Sequence, residues 1–275
     1  MLHSDRYKSV TAVTIYKEGA FTRVGTAFFL SSEGRLHLVT CRHVILAALQ
    51  AITSNETVNA VGQRNIFLRL SDNDGQSFRN CQVALYDSFG NRRWRSFLDP
   101  ENVWDVAIIE LDQEDFSAFA ISAWTEQDLL PANVQLDQGT KIVVLTFPED
   151  YRSDSPPCDF PTTVDLEEHQ IFASDRGAII KESFYPGASG SVVYKTIVSP
   201  DSFANSSNTS QGMTMQLVGV FTGAFPRENP QAGHFHYIDT AAEIIRSRQD
   251  CLDDEGMEFR DDGLFLSTRS KYLQY

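Results

Sequence analysis

Short apolar runs separated by turn residues recur along this chain of 275 residues, and long helical periodicity is rare. Val10–Tyr16 alternates as a strand with two different faces does. By the same reasoning, strands are predicted at Ala27–Leu30, Leu36–Thr40, Ile66–Leu70, Gln82–Tyr86, Val103–Leu111, Lys141–Phe147, Gln170–Ala173, Ala178–Lys181, Ser191–Ile197, Met213–Phe221 and His234–Ile238. Helices are predicted in VILAALQAI, directly after His43, and at Ala241–Arg248.

Two sets of about six short strands with one late helix favour an all-β architecture. We predict two six-stranded antiparallel β-barrels packed together, with a short C-terminal helix. The irregular and acidic stretch Asp112–Gln138 suits the connection between them. The predicted units are an N-terminal barrel over residues 1–120, a C-terminal barrel over residues 121–249 and a tail over residues 250–275.

The chain carries 23 Lys and Arg against 37 Asp and Glu, a net charge of −14. This balance argues against a duplex nucleic-acid binder, which needs a basic face, and against docking on an anionic membrane. The N-terminus MLHSDRYKSVTAV lacks the apolar core of a signal peptide, and no run reaches the ~20 apolar residues of a spanning helix. Four widely spaced cysteines without a CxxC pair are typical of reduced thiols. We therefore predict a cytoplasmic protein.

Two segments place a histidine and a carboxylate at the ends of apolar strands. In LVTCRHV the chain turns after a strand and puts His43 at the start of a short helix. Such a rigid mount suits a general base, because geometry decides proton transfer before pKa does. In VWDVAIIEL, Asp105 precedes a nearly continuous apolar run, so its carboxylate is expected to be partly buried. A buried carboxylate needs a hydrogen-bond partner, and a histidine ring N–H is a suitable one.

A third segment, YPGASGSVVY, has glycines on both sides of Ser189 directly before a strand. Glycine lets backbone N–H groups turn inward beside the hydroxyl, where they could bind the oxyanion of a tetrahedral intermediate. Each such donor contributes roughly 10²–10³ in rate. A serine in this setting, together with a histidine and a carboxylate, points to nucleophilic catalysis.

TCRHV, WDVAII and GASGS, in this order, resemble the signatures of chymotrypsin-fold serine peptidases over roughly Gly25 to Arg248. The resemblance is closer to the bacterial HtrA and glutamyl-endopeptidase branches than to secreted trypsins. It implies an endopeptidase that hydrolyses protein or peptide substrates through an acyl-enzyme and needs no cofactor. Ser189 would be the nucleophile, His43 the general base and then acid, and Asp105 the group that orients His43. The N–H groups of Gly187 and Ser189 would form the oxyanion hole.

Three positions depart from the pattern of secreted trypsins. Ala188 stands where those enzymes carry an Asp that pairs with a new N-terminus after zymogen cleavage, so this activation route should be absent. Ser191, a small residue, replaces the second glycine after the nucleophile. Cys41 precedes His43 instead of following it, so the disulfide common around that histidine is not supported.

The resemblance also implies a specificity pocket with Ser183 at its base and Thr222 and Ala224 in its walls. No acidic residue stands at that base, so a trypsin-like preference for Arg or Lys is not expected. Small and neutral groups favour an uncharged side chain at the cleavage point. His234 and His236 could add polar recognition, as a histidine does in glutamyl-specific relatives.

Other interpretations stay open at this point. The chain could be a catalytically silent, protease-like binding module, an esterase, or a processing domain that cleaves itself once. His234 and His236 would share one strand face, as metal ligands can, but no third ligand stands at a persuasive spacing, so no metal site is predicted. The remaining histidines, His3, His37 and His169, are interpreted as surface residues.

Overall fold

Two largely antiparallel β-sheets make up most of the structure, a computed structural model. It describes residues 5–53, 64–73, 77–98, 103–132, 134–148, 156–165, 177–182, 184–185, 187–198, 213–224, 232–247, 257–259 and 265–267. No helix in these ranges combines the length and the apolar character that crossing a membrane requires.

The first sheet has the strand order β5-β4-β1-β2-β3-β7-β6, and β8 pairs in parallel with β2. Its strands are β1 Val10–Lys17, β2 Ala20–Ser32, β3 Arg35–Thr40, β4 Asn65–Ser71, β5 Phe78–Ala84, β6 Trp94–Leu98, β7 Val103–Leu111 and β8 Trp124–Thr125. Consecutive residues of β1 and β3 are buried, so both faces of these central strands are covered.

The second sheet has the strand order β10-β9-β12-β13-β14-β11. Its strands are β9 Lys141–Thr146, β10 Cys158–Thr163, β11 Gly177–Ile180, β12 Val192–Val198, β13 Met213–Ala224 and β14 Gly233–Tyr237. A separate pair is formed by β15 Met257–Phe259 and β16 Phe265–Ser267. The connection between the two large sheets reaches the second one at Leu130, whose N–H donates to the Leu217 carbonyl at 2.7 Å.

The α-helices are α1 Arg42–Thr53, α2 Gln113–Phe116 and α3 Ile238–Ser247, and 3-10 turns occupy Arg6–Ser9 and Glu126–Asp128. α1 follows β3 after one residue and buries Val44, Ile45 and Ala48. α3 follows β14 directly and contacts β7 and β13, so it packs across both sheets.

The architecture agrees with the predicted all-β class and late helix, although the first sheet has eight strands instead of six. β6 was not predicted. Neither was β10, because Pro161 interrupts its pattern; proline is tolerated there since β10 lies at the edge of its sheet. The predicted strand Gln170–Ala173 lies outside the described residues.

His37 is buried and not at the surface, which corrects the sequence-based interpretation. It lies on β3, between β2 and β7, where every residue from Leu36 to Thr40 is buried. Burial lowers the pKa of His37, since a low-dielectric environment disfavours the charged ring. The local alternation could not reveal this burial, because the cover on the second face comes from distant parts of the chain. His3 and His169 lie outside the described residues.

The N-terminal 3-10 turn is attached to the second sheet through Asp159 of β10. Its carboxylate accepts hydrogen bonds from Arg6 Nη2 at 2.7 Å, from the Tyr7 hydroxyl at 2.8 Å and from the Tyr194 hydroxyl at 3.0 Å. Burial alone would raise the pKa of Asp159, but the hydrogen bonds and the charge of Arg6 outweigh burial and lower it. The Arg6 side chain is 7% exposed, and the Asp159 carboxylate compensates part of the cost of burying its charge.

Asp159→Asn is therefore expected to lower the free energy of unfolding at pH 7 by about 2–3 kcal/mol, because it removes the carboxylate charge that pairs with the largely buried Arg6 guanidinium. Urea denaturation measures the change. Glu110→Gln is the matched control, since Glu110 pairs with Arg35 while both side chains stay more than 40% exposed; it should change stability by less than ~0.5 kcal/mol. Because the pKa of Asp159 is lowered in the folded state, its ionised form stabilises the fold above about pH 4, and this stabilisation is lost as the pH falls through the folded-state pKa. The stability difference between wild type and Asp159→Asn should therefore shrink in acid. Equal effects of both substitutions would contradict the prediction.

Candidate active site

His43 and Asp105 meet where β3, α1 and β7 come together. β3 ends at Thr40 and α1 begins at Arg42, so His43 lies in the first turn of the helix. Asp105 Oδ2 lies 2.5 Å from His43 Nδ1, and Asp105 Oδ1 accepts the backbone N–H of His43 at 2.9 Å. One carboxylate thus binds both the ring and the backbone of the histidine. The contact assigns a proton to Nδ1 and leaves Nε2 as the basic ring atom.

The two side chains shift each other's pKa. Burial alone would lower the pKa of His43, but the charge and hydrogen bond of Asp105 outweigh burial and raise it above 6.5. Burial would likewise raise the pKa of Asp105, and the interaction with His43 lowers it instead. The carboxylate therefore stays ionised and stabilises a protonated imidazole. The His43 side chain keeps 21% of its surface exposed, so a substrate can reach the ring.

Ser189 lies in the loop between β11 and β12. The Ala188 N–H donates to the Tyr185 carbonyl at 3.2 Å, and the Ser191 N–H donates to the Ala188 carbonyl at 3.1 Å. These bonds hold the backbone in tight turns around the serine. The turn requires a φ of +93° at Gly187, a conformation that glycine adopts easily and residues with a side chain rarely adopt.

The loop of Ser189 is fixed against β2 of the first sheet. The Thr26 N–H donates to the Ser189 carbonyl at 2.8 Å. Gly190 has a φ of +89°, and a Cβ there would lie 1.9 Å from the Thr26 carbonyl oxygen, so only glycine fits. A Cβ on Gly25 would meet Val44 at 2.6 Å and the Ser189 carbonyl at 3.2 Å. Gly25 thus separates the serine loop from the residue that follows His43, which places the two predicted catalytic groups on facing elements.

A β-bulge brings β13 beside the Ser189 hydroxyl. The register of β13 shifts between Phe221 and Gly223, which leaves Thr222 as an extra residue. Ser189 Oγ donates to the Thr222 carbonyl at 3.3 Å. Among the described residues, this carbonyl takes the hydroxyl hydrogen bond in place of His43. A Cβ on Gly223 would lie 3.6 Å from Ser189 Oγ, so the strand passes directly by the hydroxyl.

The backbone donors around Ser189 fall into two groups. The N–H groups of Ala188, Gly190 and Ser191 donate to carbonyls of the protein. Those of Gly187 and Ser189 have no acceptor within the described part of the chain. Gly187 and Ser189 are the two donors that the sequence predicts for the oxyanion hole.

Sequence reasoning missed the contact of His236 with Asp105. The Asp105 N–H donates to His236 Nε2 at 3.3 Å, across a separation of 131 residues. Its neighbour His234 packs edge-to-face against it with ring centroids 4.9 Å apart, and His234 Nδ1 lies 2.9 Å from the Thr222 hydroxyl. Burial and His236 lower the pKa of His234 to about 3, so at neutral pH it offers no charge to a substrate carboxylate. No local pattern signals the contact of His236 with Asp105, because it joins different sheets.

A metal ion would find three neighbouring ligand atoms in Cys41, His43 and Asp105, all within 4.8 Å of one another. His43 and Asp105 already share a short hydrogen bond. Burial raises the pKa of the Cys41 thiol well above its usual value, which disfavours the thiolate that a metal needs. The Cys41 Sγ instead donates to the Phe221 carbonyl at 3.2 Å and joins the histidine segment to the second sheet. The chemistry of this set fits a histidine–carboxylate pair better than a metal centre.

The predicted specificity pocket is only partly described. Thr222 lies beside Ser189, as above. The backbone of Ala224 pairs with Gly233 at the end of β13, and its side chain lies outside the described residues. Ser183, the predicted base of the pocket, also lies outside them.

No family model and no protein of curated function matches the sequence. Among solved structures, the chain is similar to a scabies mite inactivated protease paralogue, with 15% identity over 88% of this chain and 94% of that chain and a TM-score of 0.52. It is also similar to tobacco etch virus protease complexed with product, with 9% identity over 95% of this chain and 89% of that chain and a TM-score of 0.48.

A further similar structure is an HtrA-type protease with a tripeptide, with 16% identity over 89% of this chain and a TM-score of 0.48. The chain spans 61% of the length of that protein. The two sheets and the likeness to the scabies mite protein show that this chain has the chymotrypsin-like protease fold, as its sequence predicts. At these identities the likeness shows the fold alone, so function has to be argued from the site.

Proposed function

We propose that the protein is a serine endopeptidase with Ser189 as nucleophile, His43 as general base and Asp105 as the orienting carboxylate. The observation that supports this most is the double contact of Asp105 with the ring and the backbone of His43. It holds the ring in the tautomer that leaves Nε2 basic. The serine loop is in turn fixed on β2 by the hydrogen bond from Thr26 to the Ser189 carbonyl. A structural carboxylate does not require this arrangement, whereas a general base does.

The reaction follows from these positions. Ser189 Oγ turns from the Thr222 carbonyl towards His43 Nε2, which takes its proton as the oxygen attacks the scissile carbonyl carbon. The N–H groups of Gly187 and Ser189 bind the oxyanion of the tetrahedral intermediate. His43 then donates its proton to the leaving amine, which breaks the peptide bond and leaves an acyl-enzyme. A water that gives its proton to His43 attacks the ester, and Ser189 recovers its proton as the acid product leaves.

A binding module without catalysis is the second candidate, and one observation favours it. The Ser189 hydroxyl donates to Thr222 and not to His43 among the described residues. At 3.3 Å this hydrogen bond is long for a hydroxyl donor, so rotating Ser189 to a neighbouring staggered rotamer costs little. The endopeptidase is therefore the better-supported candidate.

A fluorophosphonate probe separates the two candidates. Attack by Ser189 Oγ forms an O–P bond, expels fluoride and passes the proton to His43, so an activated serine is labelled and an ordinary one is not. We expect mass spectrometry to find the label on Ser189 of the folded protein and to find none after heat unfolding. Ser117→Ala, at an exposed serine, is the matched control and should label like wild type. Absence of label on folded protein would favour the binding module.

The substrate class and the location are further proposals. We infer from the resemblance that Ser183, Thr222 and Ala224 line a pocket for an uncharged side chain, with a protein or peptide as substrate. A cytoplasmic location is inferred from the cysteines: Cys41 and Cys81 form no disulfide among the described residues, which suits a reducing compartment.

A further inference from the structure

Arg23 of β2 crosses from the first sheet to the second and ends on the serine loop. Its Nη2 donates to the Gly187 carbonyl at 2.6 Å and to the Thr26 hydroxyl at 3.0 Å. Its Nη1 donates to the Pro148 carbonyl at 3.1 Å, and the guanidinium lies 5.5 Å from the centroid of the Phe147 ring. Arg23 thus bonds three segments that are far apart in sequence.

The main consequence concerns the peptide group between Gly187 and Ala188. Its carbonyl accepts hydrogen bonds from Arg23 and, at 2.9 Å, from the Thr26 hydroxyl. Its N–H, on the opposite edge, donates to the Tyr185 carbonyl at 3.2 Å. Both edges of one planar group are therefore tied, so the plane cannot rotate without breaking a charge-assisted bond.

Arg23 also covers one side of Gly187. A Cβ on this glycine would lie 3.1 Å from Arg23 Nε, so the guanidinium packs against its Cα. Glycine on its own has access to many backbone conformations, and external contacts have to select one. With the following peptide plane tied, the φ of +93° at Gly187 sets the direction of the Gly187 N–H.

We propose that Arg23 is a positioning residue that holds the Gly187–Ala188 peptide so that the Gly187 N–H faces the oxyanion. This inference rests on the proposed function, since it assigns the geometry of the same site. Arginine suits the role because its planar fork donates several bonds in fixed directions, which the single ammonium of lysine does not. Arg23 touches no reacting atom, so it acts through the backbone of Gly187.

The test compares the rate of fluorophosphonate labelling and the turnover of a cleaved peptide for wild type, Arg23→Ala and Arg23→Lys. Loss of one well-placed oxyanion donor lowers the rate by about 10²-fold or more, and we expect a loss of this size in kcat for Arg23→Ala with KM changed less than ~3-fold. Arg23→Lys should stay at least ~10-fold below wild type, because a charge without the fork does not fix the peptide. Added guanidinium at low millimolar concentration should restore part of the labelling of Arg23→Ala, and methylammonium should not.

Arg79→Ala is the matched control, since Arg79 pairs with Asp72 on the surface with 57% of its side chain exposed. It should label at the wild-type rate. The inference is overturned if wild type reacts and Arg23→Ala reacts equally fast, if Arg23→Lys restores the full rate, or if only KM changes. If Arg23→Ala does not fold, the labelling rate of Arg23→Lys decides the question, provided that its unfolding midpoint equals that of the wild type. Failure of the wild type itself to label would instead reject the proposed function, which is a distinguishable result.

Discussion

Ser189→Ala is expected to abolish peptide hydrolysis in trans, with kcat falling by about 10⁶-fold. The substitution removes the oxygen that forms the acyl-enzyme, and the nearby Ser191 Oγ cannot replace it, since it is bound to the Ala188 carbonyl and buried. Turnover of a peptide library, followed by mass spectrometry of the products, measures the change. The fold should survive, because the loop is held by backbone bonds that alanine keeps.

Ser117→Ala again serves as the matched control and should cleave the library like wild type. Cleavage of the library by Ser189→Ala at more than a few per cent of the wild-type rate would reject Ser189 as nucleophile. A wild type that cleaves only its own chain, and stops when Ser189 is replaced, would support the processing domain instead of an endopeptidase.

Asp105→Asn should lower kcat by on the order of 10⁴-fold while the protein stays folded. The amide can still accept the His43 backbone N–H, but it no longer stabilises a protonated ring or fixes the proton on Nδ1. Steady-state kinetics on the best peptide from the library measure the loss. Asp137→Asn, at an exposed position, is the control and should leave kcat unchanged.

The pH profile gives this substitution a second readout. His43 acts as a base only when neutral, so activity should rise with pH through its pKa, which Asp105 holds above 6.5. In Asp105→Asn the burial of the ring persists and the negative charge is lost, so the pKa of His43 should fall and the acidic limb should move to lower pH. An unmoved limb would show that Asp105 is not the partner of the titrating group.

Many strands and helices could be predicted from the local spacing of apolar residues. β7 has the bounds that its apolar run predicts, and α1 begins beside His43 because apolar residues at helical spacing follow a strand. β10 was not predicted, because Pro161 lies within it and proline usually interrupts a strand. The proline is tolerated because β10 lies at the edge of its sheet. His37 was misplaced because its burial depends on what covers the second face of β3.

The chemical groups of the candidate site could be predicted from the sequence, but the contacts that hold them in place could not. Glycines beside a serine, and an acid at the head of an apolar strand, are local signals that pointed to Ser189 and Asp105. The bulge at Thr222, the contact of His236 with Asp105 and the reach of Arg23 are not local. Thr222 and His236 were predicted to take part in substrate recognition and not in these contacts, and nothing near Arg23 in the chain distinguishes it from an ordinary strand residue.

The amino-acid sequence by itself determined the kinds of element and the chemical groups at their ends, because both depend on residues within a few positions of each other. It set His43 on a helix start, Asp105 on a strand start and Ser189 between two glycines. The tertiary structure decided which groups touch: the carboxylate on Nδ1, the hydroxyl on a bulged carbonyl, and the guanidinium on the Gly187 peptide. These contacts join residues from 33 to 164 positions apart. Strand pairing within each sheet brings His43 to Asp105 and Ser189 to Thr222, and only the packing of the two sheets brings Arg23 within hydrogen-bond distance of Gly187.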